Sequence, residues 1–170
     1  MNETGGYMKS IRLLTASLLF LLFAVDTGHA QKSTGRIGLG VIVGSPTGLS
    51  FKTFTSGTNA IDAGLAWSTG RHDAISIHAD YLWHHFDVFE DINKGQLPVY
   101  YGIGGRMVFS DNHSGPGDDD VVLGVRIPVG INYLFEDSPV GLFLEIAPIV
   151  NLIPSTDFDL DGAIGARFYF

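Results

Sequence analysis

The last thirteen residues constrain this chain most. From Phe158 to Phe170 the sequence alternates with a period of two. Phe158, Leu160, Gly162, Ile164, Ala166, Phe168 and Phe170 fall on one face, and Asp159, Asp161, Ala163, Gly165, Arg167 and Tyr169 on the other. Successive side chains of a strand point to opposite faces, so this strand is apolar and aromatic on one side and charged on the other. Such a strand fits a wall between hydrocarbon and a polar lumen. In hydrocarbon every backbone group needs a partner, and a sheet provides one only if it closes on itself.

The amino terminus fits export. Met8-Lys9-Ser10-Ile11-Arg12 is a short basic start, Leu13 to Val25 is almost wholly apolar, and Gly28-His29-Ala30 offers small residues at a cleavage site. This is the layout of a secretory signal peptide over residues 1–30, with Met8 as the fitting start. The apolar run is too short for a helical span, which needs about 20 residues. Removing residues 1–30 takes away Lys9 and Arg12 together with Glu3 and Asp26, so the formal net charge stays at −8. That balance argues against nucleic acid as a partner. The chain contains no cysteine, which excludes a disulfide framework, a thiolate metal site and a lipid-modified cysteine. No apolar run after residue 30 is long enough for a transmembrane helix, so a membrane location requires a barrel.

Residues 31–170 divide into eight alternating segments separated by turn chemistry. They run Arg36–Val43, Leu49–Thr55, Ala60–Ser68, Ala74–Val88, Leu97–Phe109, Val121–Phe135, Val140–Leu152 and Phe158–Phe170. Gly, Pro, Asn, Asp and Ser mark the boundaries. An even number of antiparallel strands suits a closed bacterial barrel. The first two segments are short and are expected to extend into their turns.

The alternation persists along the chain. One set of faces carries Ile37, Leu39, Val41, Leu49, Phe51, Ile61, Leu65, Trp67, Ile75, Ile77, Ile103, Met107, Val125, Ile127, Leu142, Leu144 and Ile146. The opposite set carries glycines and charges, and within these segments the apolar face meets a charge only at Asp87, at the end of the fourth. A soluble lipocalin-like barrel shows the reverse polarity. The predicted fold is therefore all-β, an eight-stranded antiparallel up-and-down transmembrane β-barrel. With both termini in the periplasm, Trp67, Phe109 and Phe158 approach one membrane interface, and Tyr101, Tyr133, Phe135, Phe168 and Phe170 the other, as aromatic belts do.

Eight inward charges form the main constellation: Lys52, Arg106, Arg126 and Arg167 against Asp62, Asp80, Glu145 and Asp161. By depth Glu145 lies between Arg126 and Arg167, and Lys52 neighbours Asp62. An eight-stranded barrel is just wide enough for side chains to fill, so the pattern predicts an ion-paired plug, with a narrow ion path as the alternative. Ser76, His78 and Asp80 share a face and raise a lipid-modifying hydrolase reading, but sequence spacing alone does not provide the hydrogen-bond geometry catalysis needs. His84 shares that face as well. No catalytic residue is assigned, and no cofactor or metal. Asp157-Phe158-Asp159-Leu160-Asp161-Gly162 mimics the opening of a calcium loop, yet Phe168 stands where the pattern wants a glutamate. The acidic segment Ser110–Asp120 reads as a solvated surface loop.

The closing Gly165-Ala166-Arg167-Phe168-Tyr169-Phe170 resembles the carboxy-terminal assembly signal of outer-membrane barrels, with Gly165, Phe168 and Phe170 at its key positions; Ala163 departs from the polar residue usual two before the glycine. In architecture residues 31–170 resemble small outer-membrane barrels of the OmpA/OmpX size class. Leu97–Gly104 and Phe143–Pro148 are similar to segments of uncharacterised families of that class. The resemblance implies insertion by the barrel-assembly machinery and no known catalytic residues. The expected protein is a monomeric, non-enzymatic barrel of the cell outer membrane, in contact with outer-membrane lipid and lipopolysaccharide, with a structural, anchoring or surface-interaction role.

Overall fold

The structure is a computed structural model that describes residues 36–45, 47–68, 74–89, 94–111 and 119–170. The expected signal peptide, and residues 112–118 of the acidic loop, lie outside the described residues. Among the described residues ten strands form one antiparallel sheet: β1 Ile37–Ser45, β2 Gly48–Phe54, β3 Asn59–Ser68, β4 Ala74–His85, β5 Gly95–Gln96, β6 Val99–Asp111, β7 Asp119–Arg126, β8 Val129–Phe135, β9 Val140–Ile153 and β10 Asp157–Tyr169.

These ten strands are eight staves. β5 and β6 lie in line along β8, and β7 and β8 lie in line along β9. Each break falls at a proline, Pro98 and Pro128, which has no N–H to give the ladder. Neighbours keep the wall continuous across the breaks: Asn132 N donates to the Pro98 carbonyl at 3.0 Å, and Gly102 N to the Pro128 carbonyl at 2.9 Å. β1 pairs with β10 from Gly38↔Tyr169 to Ser45↔Gly162, which closes the ring. Its first two strands do reach into their turns, β1 to Ser45 and β2 from Gly48.

The register gives the barrel its shape. From Gly40 it passes through Ser50, Gly64, His78, Arg106, Gly124 and Asn151 to Asp157. Across the seam, Gly40 itself faces Arg167, ten residues beyond Asp157. A slip of ten over eight staves tilts the strands by about 40°. We call the end where β1 begins and β10 finishes proximal, and the opposite end distal.

The barrel is inverted relative to a soluble one. Leu39, Val41, Leu49, Ile61, Leu65, Ile77, Ile103, Leu144, Ile146 and Ile164 are exposed on its outer surface. Ser50, Lys52, Asp62, His78, Asp80, His84, Arg126, Asn132, Glu145, Asn151, Asp161 and Arg167 are buried inside. Glycine makes room for large inward neighbours. A Cβ on Gly165 would stand 2.3 Å from the Phe143 ring, and one on Gly64 2.3 Å from the His78 ring. Apolar inward residues complete the filling: Ala60, Leu82 and Tyr100 pack together with Phe54, and Ile42 packs with Phe143 and Ala163.

Outward aromatics gather at the proximal end. Tyr133 packs edge-on to Phe135 at 4.7 Å, and Trp83 lies 5.1 Å from Tyr81 and 5.7 Å from Tyr101. Asn59 on β3 donates to the Tyr81 hydroxyl at 2.7 Å, tying β3 to β4 at that end.

Candidate functional site

Alternation puts Lys52, Asp62, Asp80, Arg106, Arg126, Glu145, Asp159, Asp161 and Arg167 on the lumen side, and the tilt then stacks them in three tiers. In the proximal tier Asp62 serves two cations. Its Oδ2 lies 2.7 Å from Arg167 Nη2 and 3.8 Å from Lys52 Nζ. Arg167 also donates through Nε to Ser50 Oγ at 2.7 Å and lies over the Phe143 ring at 3.8 Å. Lys52 Nζ stands 4.4 Å from the Tyr100 ring centre, so an aromatic face supplements its one carboxylate. This tier holds two cations, one anion and a set of aromatic rings, all buried.

The middle tier reverses the balance. Arg126 approaches Asp80 Oδ2 at 3.4 Å through Nε and pairs with Glu145 through Nη2. The Tyr100 hydroxyl donates to the other oxygen of Glu145 at 2.8 Å. In the distal tier Arg106 pairs with Asp161 at 3.3 Å and with Asp159, and it donates to Asn151 Oδ1 at 3.1 Å. Asn151 in turn donates to Asp159 at 3.0 Å. Arg106 and Asp161 are nearly buried, whereas Asp159 is 48% exposed at the distal mouth.

Some buried polar atoms have no hydrogen-bond partner among the described residues, including His78 Nδ1, Ser76 Oγ, His84 Nε2 and Arg126 Nη1. At the proximal mouth a cavity of about 420 Å³ is lined by Arg36, Phe54, Phe86, Gln96 and Leu134.

Comparison with known proteins fits this geometry. A family model described as protein of unknown function (DUF3996) matches residues 29–168. The chain belongs to this family. Among curated proteins no sequence matches it. The chain is similar to the amino-terminal β-barrel domain of Pseudomonas aeruginosa OprF, with a TM-score of 0.56 and 13% identity over 79% of this chain and 95% of that one. It is also similar to Neisserial surface protein A, with 12% identity over 79% of this chain and 93% of that one, at a TM-score of 0.42, too low to carry an argument. The OprF likeness shows the fold alone, a β-barrel.

Within this barrel, all eight charges singled out by sequence point inward. Lys52 meets Asp62, and Arg126 meets Glu145. Arg167 reaches across β1 and β2 to Asp62, while Glu145 spends its second oxygen on Tyr100. Sequence reading left out Asp159, Ser50, Asn151 and Tyr100 as partners. Asp159 carried a usable signal, since it shares parity with Asp161. Its pairing with Arg106 also engages two carboxylates of the apparent calcium pattern. Ser76, His78 and Asp80 do share the inner face of β4, but Asp80 is held by Arg126, and Ser76 Oγ and His78 Nδ1 make no hydrogen bond among the described residues. Gly165, Phe168 and Phe170 lie in or beside the β10 seam, and the two phenylalanine rings are 6.2 Å apart.

Proposed function

We propose that this protein is a monomeric integral barrel of the outer membrane, with both termini in the periplasm and a lumen closed by its ion-paired side chains. Its role in this reading is to hold the distal rim at the cell surface as an anchored, structural or interacting platform. One observation carries it: the wall is apolar where it meets the surroundings and charged where it meets itself. Water on that outer face would leave a continuous belt of isoleucine, leucine and valine solvated, far beyond the few hundred Å² a soluble monomer exposes. Lipid removes the conflict. The proximal pairs Tyr133–Phe135 and Phe168–Phe170 fit an interfacial belt. The ending Gly165-Ala166-Arg167-Phe168-Tyr169-Phe170 supports delivery by the barrel-assembly machinery.

Closure of the lumen rests on the tiers. Lys52, Arg126 and Arg167 are buried and each lies within 4 Å of a carboxylate, so a water column has little room beside them. A narrow pore is the second reading, supported by the unpartnered buried nitrogens and oxygens, which water in the lumen would satisfy. Two measurements test the proposal. Unboiled protein from outer-membrane fractions is expected to migrate faster than boiled protein; a band that never shifts, with protein soluble without detergent, overturns the barrel in lipid. Planar-bilayer recording is expected to show no steady conductance. Steady conductance abolished by neutralising Arg126 and Glu145 together would replace the plug with the pore.

A further inference from the structure

The barrel wall is not equally tall all round. Along β2 the polar turn residues Thr47 and Thr55 are eight positions apart, about 20 Å along the barrel axis at 3.3 Å per residue and 40° of tilt. Along β9 the bounding Pro139 and Pro154 are fifteen positions apart, about 38 Å by the same conversion. The outward residues follow the same cline. β2 presents Leu49 and Phe51 before threonine intervenes, whereas the stave of β7 and β8 presents eight apolar residues in succession from Val121 to Phe135.

The missing height is all distal. Each step round the wall from β1 towards β10 climbs about 3 Å at this tilt. Proximal ends stay level because the strand ends Ile37, Phe54, Asn59, His85, Val140 and Tyr169 compensate that climb along their strands. At the distal end, β1 stops at Ser45, which faces Gly162, and Asp157–Asp161 of β10 continue above it with β9 as their partner on the other side. Among the described residues no strand pairs with that edge. Phe158 stands there 77% exposed.

We propose that the β1–β2 side is a lipid-interaction surface that pulls the distal leaflet down by about 10 Å and takes lipid with short or disordered acyl chains. This rests on the membrane-embedded reading above. Two independent features demand it. The polar strand ends Ser45 and Thr47 must stay out of hydrocarbon; the Thr47 hydroxyl, which bridges Gly44 N at 3.1 Å and Gly44 O at 2.9 Å, is exposed there. The free β10 edge also needs water or headgroups beside it. Tilting the barrel cannot remove the difference, because tilt moves both ends of a stave together and leaves its length unchanged. Polar headgroups therefore reach the notch between the β1–β2 turn and β10, next to the Arg106, Asp159 and Asp161 tier.

Depth-resolved fluorescence tests this. The chain's two tryptophans are replaced, Trp67→Phe and Trp83→Phe, and one indole is returned by Leu49→Trp or by Ile103→Trp. Both positions face outward, 45% and 52% exposed. They stand at one height on different sides of the wall. The register runs Leu49↔Leu65↔Ile77↔Met107, and the climb of three staves is cancelled by four residues back along β6 to Ile103. In phosphatidylcholine vesicles, the Leu49→Trp indole is expected to be quenched best by bromines near the headgroup. The Ile103→Trp indole is expected to be quenched best by bromines near the bilayer centre, a depth difference of about 10 Å. Equal depths overturn the proposal while leaving the barrel in lipid. Absence of quenching in both overturns the membrane reading itself. If either variant lacks the heat-dependent gel shift, Val41→Trp against Val129→Trp replaces the pair at matched height; a depth difference again supports the proposal, and equal depths again overturn it.

Discussion

The proximal and distal tiers of the lumen contain the same chemical groups in opposite settings. Proximally, Lys52 and Arg167 share Asp62, and all three are buried under Phe143 and Tyr100. Distally, Arg106 is shared by Asp159 and Asp161, and Asp159 is open to solvent. An ion pair in water contributes little, because solvent screens it and competes for it. A buried charge that loses its partner has no such substitute. Stability is therefore expected to depend on the proximal tier, and the distal tier to tolerate change.

The strongest break of that comparison is Asp62→Ala. It strands two buried cations, so the refolded barrel is expected to lose about 3–5 kcal/mol in urea unfolding. Adding Lys52→Met to that variant is expected to restore part of the loss, since one of the stranded charges is then gone. A loss under about 1 kcal/mol for Asp62→Ala, the size typical of solvated pairs, would mean that water reaches the proximal tier, and the contrast between tiers would fail.

Tyr100→Phe sharpens the comparison at the boundary of the middle tier. The variant keeps the ring beneath Lys52 and removes only the hydroxyl that donates to Glu145 at 2.8 Å. A hydrogen bond to a charged acceptor contributes about 1.5–3 kcal/mol, and a loss of that size is expected by the same unfolding assay. Loss of all tertiary structure would instead show that the ring position depends on the hydroxyl.

Phe143→Leu comes next. Arg167 lies 3.8 Å from the Phe143 ring centre, and leucine keeps the apolar volume in part while removing the ring face. A desolvated cation–π contact is worth about 2 kcal/mol, so a loss near that size is expected, insensitive to added salt because the pair is buried.

How much of this is legible in the sequence follows from which periodicity carries it. Facing needs only a period of two, and the outward Leu49, Ile103 and Ile146 and the inward Lys52, Arg126 and Glu145 follow from it. Partnership needs the slip of the register, and no local pattern encodes ten residues of shear. Arg167 and Asp62 are far apart in sequence and meet only because β10 closes on β1. Breaks inside the fifth and sixth staves are readable as chemistry, at Pro98 and Pro128, but alternation continues through them and hides them. The uneven wall is also present in the sequence, as the short run at Leu49 and Phe51 beside the long run from Val121 to Phe135. Segment lengths alone cannot say that all the missing height is at one end; the seam Ser45↔Gly162 does.

Asp159→Asn is the mildest test and the one that isolates solvent. The carboxylate pairs with Arg106 and accepts from Asn151 at 3.0 Å, yet it is 48% exposed. Arg106 keeps Asp161 at 3.3 Å in the variant, so no buried cation is stranded. Exposed pairs contribute about 0–1 kcal/mol, and the expected change is within that range, shrinking further as salt is raised from about 0.01 M to about 1 M and screening shortens to about 3 Å. A loss as large as that of Asp62→Ala would show that the distal mouth is closed to water. The two tiers would then be equivalent, and the mouth would need a cover that the strands described here do not supply.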